Sequence, residues 1–173
     1  MRKIAAFCTL LMTAAVLQAP AQEMKHEQGA PKSPRVTAKN DIAEISYGQP
    51  SKRGREIFGK LVPYGEVWRT GANMSTDITF NTDVLFGGVT VPKGTYSLFT
   101  IPEKEHWTVI LNGQPAQKGA SEYEANKSKN VATIRAKVEK LSSVQEALVI
   151  EPGKNALTFK WDNVSVSVPM KKK

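Results

Sequence analysis

The residues best suited to bind a ligand lie in one aromatic and basic stretch, residues 47–73. Within it, Arg69 directly follows Trp68. A guanidinium can bind a carboxylate, sulfate or phosphate through two parallel hydrogen bonds, and the face of an indole attracts the C–H groups of a sugar ring. We therefore predict a site for a small anionic or saccharide ligand, or for a peptide of an envelope partner. Its candidate residues are Tyr47, Lys52, Arg55, Tyr64, Trp68, Arg69 and Asn73.

The same residues also allow a structural interpretation. Trp68 would then fill the core, because buried aromatic rings more often pack than bind. Arg69 would pair with an acidic residue and fasten the stretch to the domain, while Lys52 and Arg55 would form a solvated loop around Gly54. On this interpretation the chain is a structural envelope protein.

The sequence gives less support to catalysis or metal binding. With two histidines, His26 and His106, and one cysteine, Cys8, the chain lacks the usual ligand sets of zinc and copper, and we expect no metal and no cofactor. It has no GxSxG nucleophile motif. Glu122 and Glu124 are a possible carboxylate pair. A hydrolase or lyase of envelope or dietary polymers therefore remains an alternative.

The first 21 residues have the pattern of a secretory signal peptide. Arg2 and Lys3 precede an uncharged apolar stretch, and a small-residue motif, APA, ends at Ala21. We predict cleavage after Ala21 and export to the periplasm or the extracellular space. Because Cys8 leaves with this segment, the mature protein must be stabilised by a hydrophobic core without disulfides.

The rest of the chain divides into three predicted parts. Residues 22–34 are polar and predict a flexible tether, residues 35–169 form one domain, and residues 170–173 form a basic tail. The formal charge of +8 is not gathered into a basic face with interleaved aromatic residues, so we expect no nucleic-acid partner. After the signal peptide the apolar runs are too short for a membrane span.

Residues 35–169 are dominated by short alternating runs separated by turn residues, which is typical of β-strands. Gly87-Gly88 predicts a hairpin between residues 84–86 and 89–91, and Asp162-Asn163 predicts another. Short helices are expected only within residues 54–61 and 121–129. The pattern predicts an all-β fold, a single antiparallel β-sandwich, jelly-roll-like or immunoglobulin-like, with one long aromatic and basic connecting segment.

Three sequence motifs indicate a family. They are GREIFGKLVPYGEVWRTGAN at residues 54–73, VPKGTYSLFTIP at 91–102 and EHWTVI at 105–110. In these motifs the chain resembles the secreted bacterial domain-of-unknown-function family 2911, common in Bacteroidetes-type bacteria, over roughly residues 33–169. The resemblance implies an exported β-sandwich and no assigned activity. Gln117-Lys118-Gly119 departs from the family pattern, in which an aromatic residue is expected; if that residue lines a family site, the site is altered here.

Overall fold

The computed structural model describes residues 32–173. The predicted signal peptide and residues 22–31 of the predicted tether lie outside the described residues. A short helix α1 (Tyr123–Asn126) lies between two 3-10 turns, Ala120–Glu122 and Lys127–Lys129. The strands of the described residues are β1 (Arg35–Lys39), β2 (Ala43–Gly48), β3 (Thr76–Phe80), β4 (Val84–Phe86), β5 (Val89–Val91), β6 (Gly94–Pro102), β7 (His106–Asn112), β8 (Asn130–Pro152) and β9 (Ala156–Lys172).

These nine described strands form one sheet in the order β1-β2-β3-β6-β7-β8-β9-β4-β5. Every neighbouring pair is antiparallel. The predicted all-β, antiparallel fold is therefore confirmed. Its assignment as jelly-roll-like or immunoglobulin-like stays a prediction.

The sheet folds over so that distant strands face one another across the core. The ring of Phe80 in β3 lies 6.1 Å from that of Phe86 in β4, although four strands separate β3 from β4 in the sheet. The chain after β2 also reaches β8, since the amide of Leu148 donates to the carbonyl of Pro50 at 2.9 Å. Aromatic and branched side chains from the facing strands are buried together in the core between these strands.

Two turn predictions had opposite outcomes. Gly87 and Gly88 have φ values of 54° and 90° and join β4 to β5, which confirms that hairpin. The hairpin predicted at Asp162-Asn163 is wrong, because β9 runs straight through both residues. Asp162 has a φ of 55° and lies in an irregularity of the ladder: Lys140 pairs with Val164, whereas the next pair is Gln145 with Asp162. The local conformation that favours a turn is used here in a β-bulge.

Other boundaries also differ from those predicted. Residues 121–129 are helical in part, as expected, but residues 54–61 contain turns and no helix. The predicted basic tail is not a separate end: β9 continues to Lys172, which pairs with Val84, and Met170 is buried. The last residues of the predicted tether are bound to the domain, since the carbonyl of Pro34 accepts a hydrogen bond from the amide of Gln49 at 2.8 Å.

Candidate functional site

The connection between β2 and β3, residues 49–75, is fastened to the domain by apolar side chains that enter the core. Ile57 and Val62 are buried. The ring of Phe58 lies 5.1 Å from that of Trp107 and 6.1 Å from that of Trp161. The connection is therefore part of the folded domain, and these core contacts hold its exposed residues in place.

Trp68 packs against the core but is only half-buried. Its ring stacks on that of Trp161, with the centroids 5.8 Å apart and 18° between the planes. Its backbone pairs with Thr100 of β6 through hydrogen bonds of 2.7 and 2.9 Å, and its Nε1 donates to the carbonyl of Gly71 at 3.2 Å. The indole therefore has a fixed orientation and an exposed part.

Thr70 gives the chain a sharp turn directly after Arg69. Its φ of 55° lies in the left-handed region, which β-branched residues rarely adopt. Three contacts hold it there: Thr70 Oγ1 donates to Thr100 Oγ1 at 3.1 Å and to the carbonyl of Trp68 at 3.3 Å, and the carbonyl of Thr70 accepts from Thr76 Oγ1 at 2.8 Å. Strained residues held by several surrounding contacts cluster at functional sites, and Thr70 directly follows Arg69 in the chain.

One side of the Arg69 guanidinium is hydrogen-bonded, and the other has no partner among the described residues. Nη1 donates to the carbonyl of Asn73 at 2.9 Å, and the Nη1 and Cδ atoms pack against Gly119. Nε and Nη2 have no hydrogen-bond partner among the described residues, and Arg69 forms no ion pair within 4.0 Å there. The acidic partner that the structural interpretation requires is therefore not found in this part of the chain.

Arg69 and Trp68 border a pocket of about 290 Å³. The candidate residues Arg55 and Asn73 line it as well, so that four of the seven predicted residues meet at one place. Two of these four carry a positive charge, and no acidic residue or histidine is among the described residues that line the pocket. The other lining residues are Ser33, Pro50, Leu61, Val62, Gly71, Ala72 and Trp161.

Arg55 faces the pocket with part of its guanidinium already engaged. Its Nε donates to the carbonyl of Lys52 at 2.9 Å and its Nη2 to the carbonyl of Ser51 at 2.6 Å. This leaves Nη1 and the positive charge for a ligand. Arg69 therefore offers a two-point contact, and Arg55 adds the N–H groups of its Nη1.

The three remaining candidates are not among the described residues that line this pocket. Tyr47 is only 3% exposed, and its hydroxyl accepts a hydrogen bond from the amide of Ile150 at 3.1 Å. Lys52 Nζ lies 2.8 Å from Asp162 Oδ2 in an ion pair. Tyr64 is exposed on the surface, and its ring lies against Gly59.

One protein-family model matches most of the chain. The model of the family described as "Protein of unknown function (DUF2911)" matches residues 31–170, which includes all residues that line the pocket. The chain belongs to the DUF2911 family. No curated protein and no solved structure matches it.

Two residues that matter for the pocket of this DUF2911 domain were not among the candidates. Trp161 supports Trp68 from β9, more than ninety residues away in sequence, and no local pattern connects the two positions. Gly119 makes room for Arg69, since a Cβ atom there would lie 2.8 Å from Nη1. Gly119 belongs to the stretch in which the family resemblance predicts an aromatic residue, and nearby Gln117 is buried and donates to Asn112 Oδ1 at 3.0 Å.

The two glutamates of the possible carboxylate pair have ordinary partners outside the pocket of the DUF2911 domain. Glu122 accepts a hydrogen bond from the amide of Lys118 at 2.9 Å, and Glu124 lies 3.6 Å from Lys127 Nζ on the surface. No cluster of potential metal ligands occurs within residues 32–173. In the same range no helix has the length and apolar character needed to cross a membrane.

The pKa of the Tyr96 hydroxyl lies above its ordinary value. Burial of its side chain, with a smaller contribution from the negative charge of Asp83, raises the pKa of Tyr96. Its hydroxyl donates to the carbonyl of Pro92 at 2.8 Å. Tyr96 does not line the Arg69 pocket, so this shift is a matter of stability and not of the site.

Proposed function

We propose that this DUF2911 domain is an exported binding module that holds a small anionic ligand in the pocket beside Trp68 and Arg69. The observation that carries the proposal is the unpartnered Nε and Nη2 edge of Arg69, whose opposite side is fixed by Asn73 and Gly119. A guanidinium fixed in this way has lost much of its rotational freedom before the ligand arrives, and the cost of ordering it on binding is correspondingly small.

The charge of the pocket favours an anion over a neutral or cationic ligand. Arg55 and Arg69 both line it, and no described carboxylate lies among the lining residues. Two positive charges next to a partly apolar surface attract an anion more strongly than the same charges in open water, because the local dielectric constant is lower. The attraction should weaken as ionic strength rises.

The alternative of a hydrolase or lyase has less support from the geometry. General acid–base catalysis requires ionisable groups that converge on a reacting atom with suitable pKa values. The described residues around the pocket include no aspartate, glutamate or histidine. The purely structural alternative requires an acidic partner for Arg69, and no ion pair of Arg69 occurs within residues 32–173.

Export is part of the proposal and follows from the amino-terminal pattern of residues 1–21. Cell fractionation of the native host, with the mature amino terminus read by mass spectrometry, tests it. Cleavage after Ala21 and recovery in the periplasmic or extracellular fraction are expected. An intact Met1 terminus in the cytoplasmic fraction would contradict export without bearing on the pocket.

The binding function is tested by a thermal-shift screen of the mature protein against carboxylates, phosphates, sulfates and sugars. A ligand that binds only the folded state raises the melting temperature in a dose-dependent way. Loss of a charge-assisted hydrogen-bond pair costs about 1.5–3 kcal/mol, so Arg69→Ala should weaken binding by about 10- to 150-fold. Arg135→Ala removes an exposed arginine of β8 that does not line the pocket and should leave binding unchanged. An equal loss in both variants would contradict the proposed site.

A further inference from the structure

We propose that the ligand of the Arg69 pocket is a sugar acid: one saturated, hydroxyl-bearing ring that carries a carboxylate. This inference rests on the proposed binding function and names the chemical class that the pocket would select. Three features of the pocket each recognise a different part of such a molecule: the arginine edge, the apolar wall and the Asn73 side chain.

The arginine edge matches the carboxylate. Nε and Nη2 lie on the side of the guanidinium opposite the Nη1 and Cδ atoms that contact Gly119, and together they present two parallel N–H donors. A carboxylate fills such an edge with its two coplanar oxygens. A phosphate or sulfate brings further charged oxygens that need additional donors, and the pocket offers few: Nη1 of Arg55 and the hydroxyl of Ser33.

The apolar wall matches the ring. The half-buried indole of Trp68 is joined by Leu61 and Val62 at the same pocket, and Leu61 is 45% exposed. The C–H face of a saturated ring can pack on this wall with its hydroxyls directed outward, and the stacked Trp161 prevents the indole from rotating away. An acyclic acid such as acetate would leave the wall uncovered.

The Asn73 side chain matches the hydroxyls. Its Nδ2 donates to the carbonyl of Ser33 at 3.3 Å, which sets the orientation of the amide and leaves Oδ1 without a partner among the described residues. An amide oxygen fixed in this way accepts a hydrogen bond from a ligand hydroxyl. Ser33 lines the same pocket and adds a hydroxyl that can donate or accept.

The size of the pocket suits a ligand of one ring. Pockets for drug-sized ligands enclose about 300–1,000 Å³, and a volume of about 290 Å³ lies at the lower end of this range. A longer acidic glycan would bind through one residue, its terminal sugar acid, with the rest of the chain outside.

Isothermal titration calorimetry of the mature protein with matched probes tests the inference. Glucuronate carries ring, hydroxyls and carboxylate; glucose lacks the carboxylate; acetate lacks the ring; and inorganic phosphate offers a different anion. We expect glucuronate or its epimer galacturonate to bind at least tenfold more tightly than glucose, acetate and phosphate. Asn73→Ala should weaken binding of the sugar acid severalfold and leave the weak binding of acetate unchanged.

The possible results separate this inference from the proposed function. Tighter binding of phosphate than of either sugar acid, abolished in Arg69→Ala, would overturn the sugar-acid assignment and retain the anion site. Equal affinity for glucose and glucuronate would overturn the role of the arginine edge. Absence of binding by all four probes and by the wider screen would contradict the binding function itself.

Discussion

The guanidinium of Arg69 lies so close to Gly119 that a Cβ atom at position 119 would be 2.8 Å from Nη1. Gly119 also has a φ of 88°, which L side chains rarely adopt. The loop that follows β7 therefore fixes the arginine of a segment that precedes β3. The position of the unpartnered Nε and Nη2 edge depends on this contact between two loops that are distant in sequence.

Gly119→Ala should weaken ligand binding because the new Cβ displaces Arg69. The positive φ adds a stability cost of about 1 kcal/mol. Gly88→Ala is the matched control, since Gly88 has a φ of 90° with nothing within 4 Å of a Cβ there. Calorimetry should show similar losses of melting temperature in the two variants and a loss of ligand affinity in Gly119→Ala alone. Unchanged affinity in Gly119→Ala would contradict the positioning role.

The hydroxyl of Thr70 should stabilise the turn that directs Arg69 outward. Thr70→Val keeps the shape but leaves the buried Thr100 Oγ1 without its partner, whereas the carbonyl of Trp68 keeps its hydrogen bond from the amide of Thr100. The substitution should lower the free energy of unfolding by about 1–3 kcal/mol. Thr70→Ser keeps the hydroxyl and should lose less. Urea denaturation measures both, and an equal or larger loss in Thr70→Ser would show that the methyl group, and not the hydrogen bond, is what matters.

The ion pair of Lys52 with Asp162 should act on stability and not on binding. Both side chains are mostly buried, with 20% and 17% exposed, and the pair joins the connecting segment to β9. A double-mutant cycle of Lys52→Met and Asp162→Asn should give a coupling energy on the order of 1 kcal/mol. Ligand affinity should be unchanged in Lys52→Met, because Lys52 does not line the described pocket. A large loss of ligand affinity in Lys52→Met would contradict this prediction and show that Lys52 contributes to the site.

Tyr96 should make the domain less stable at alkaline pH. Its pKa is raised in the folded state by burial and by the charge of Asp83, while its pKa in the unfolded chain is about 10. The favourable contribution is complete below the unfolded pKa and is lost as pH rises through the higher folded pKa, because the unfolded chain releases the proton first. The free energy of unfolding should therefore fall above about pH 10, and less steeply in Tyr96→Phe. Equal slopes for the two proteins would contradict this origin.

Local sequence signals predicted the strands well and the pocket only in part. The paired glycines Gly87-Gly88 specify a hairpin by backbone conformation alone, so their structure follows from two residues. Asp162-Asn163 carries a similar signal, but the pairing of β9 with β8 on either side turns it into a bulge. Local preference for a positive φ does not reveal whether the chain reverses direction.

The composition of the pocket depends on contacts between residues that are distant in sequence. Arg69 and Trp68 stand out because a basic residue follows an aromatic one in a glycine-rich stretch. Tyrosine is a residue type that can contact ligands at a surface. The position of Tyr47 in β2, however, directs its side chain into the core, where its hydroxyl accepts a hydrogen bond from the amide of Ile150. Trp161 and Gly119 could not be found because their importance arises only once β9 and the loop after β7 have packed against the segment.

The most direct test of the account is an NMR titration that follows the arginine Nε–H signals of the mature protein. The Arg69 signal is assigned by its absence in Arg69→Lys. Addition of glucuronate, or of the anion identified by the thermal-shift screen, should shift the Arg69 signal in a saturable way and leave that of Arg135 unmoved. A saturable ligand that leaves the Arg69 signal in place would contradict the central claim that the Nε and Nη2 edge of Arg69 binds the anion.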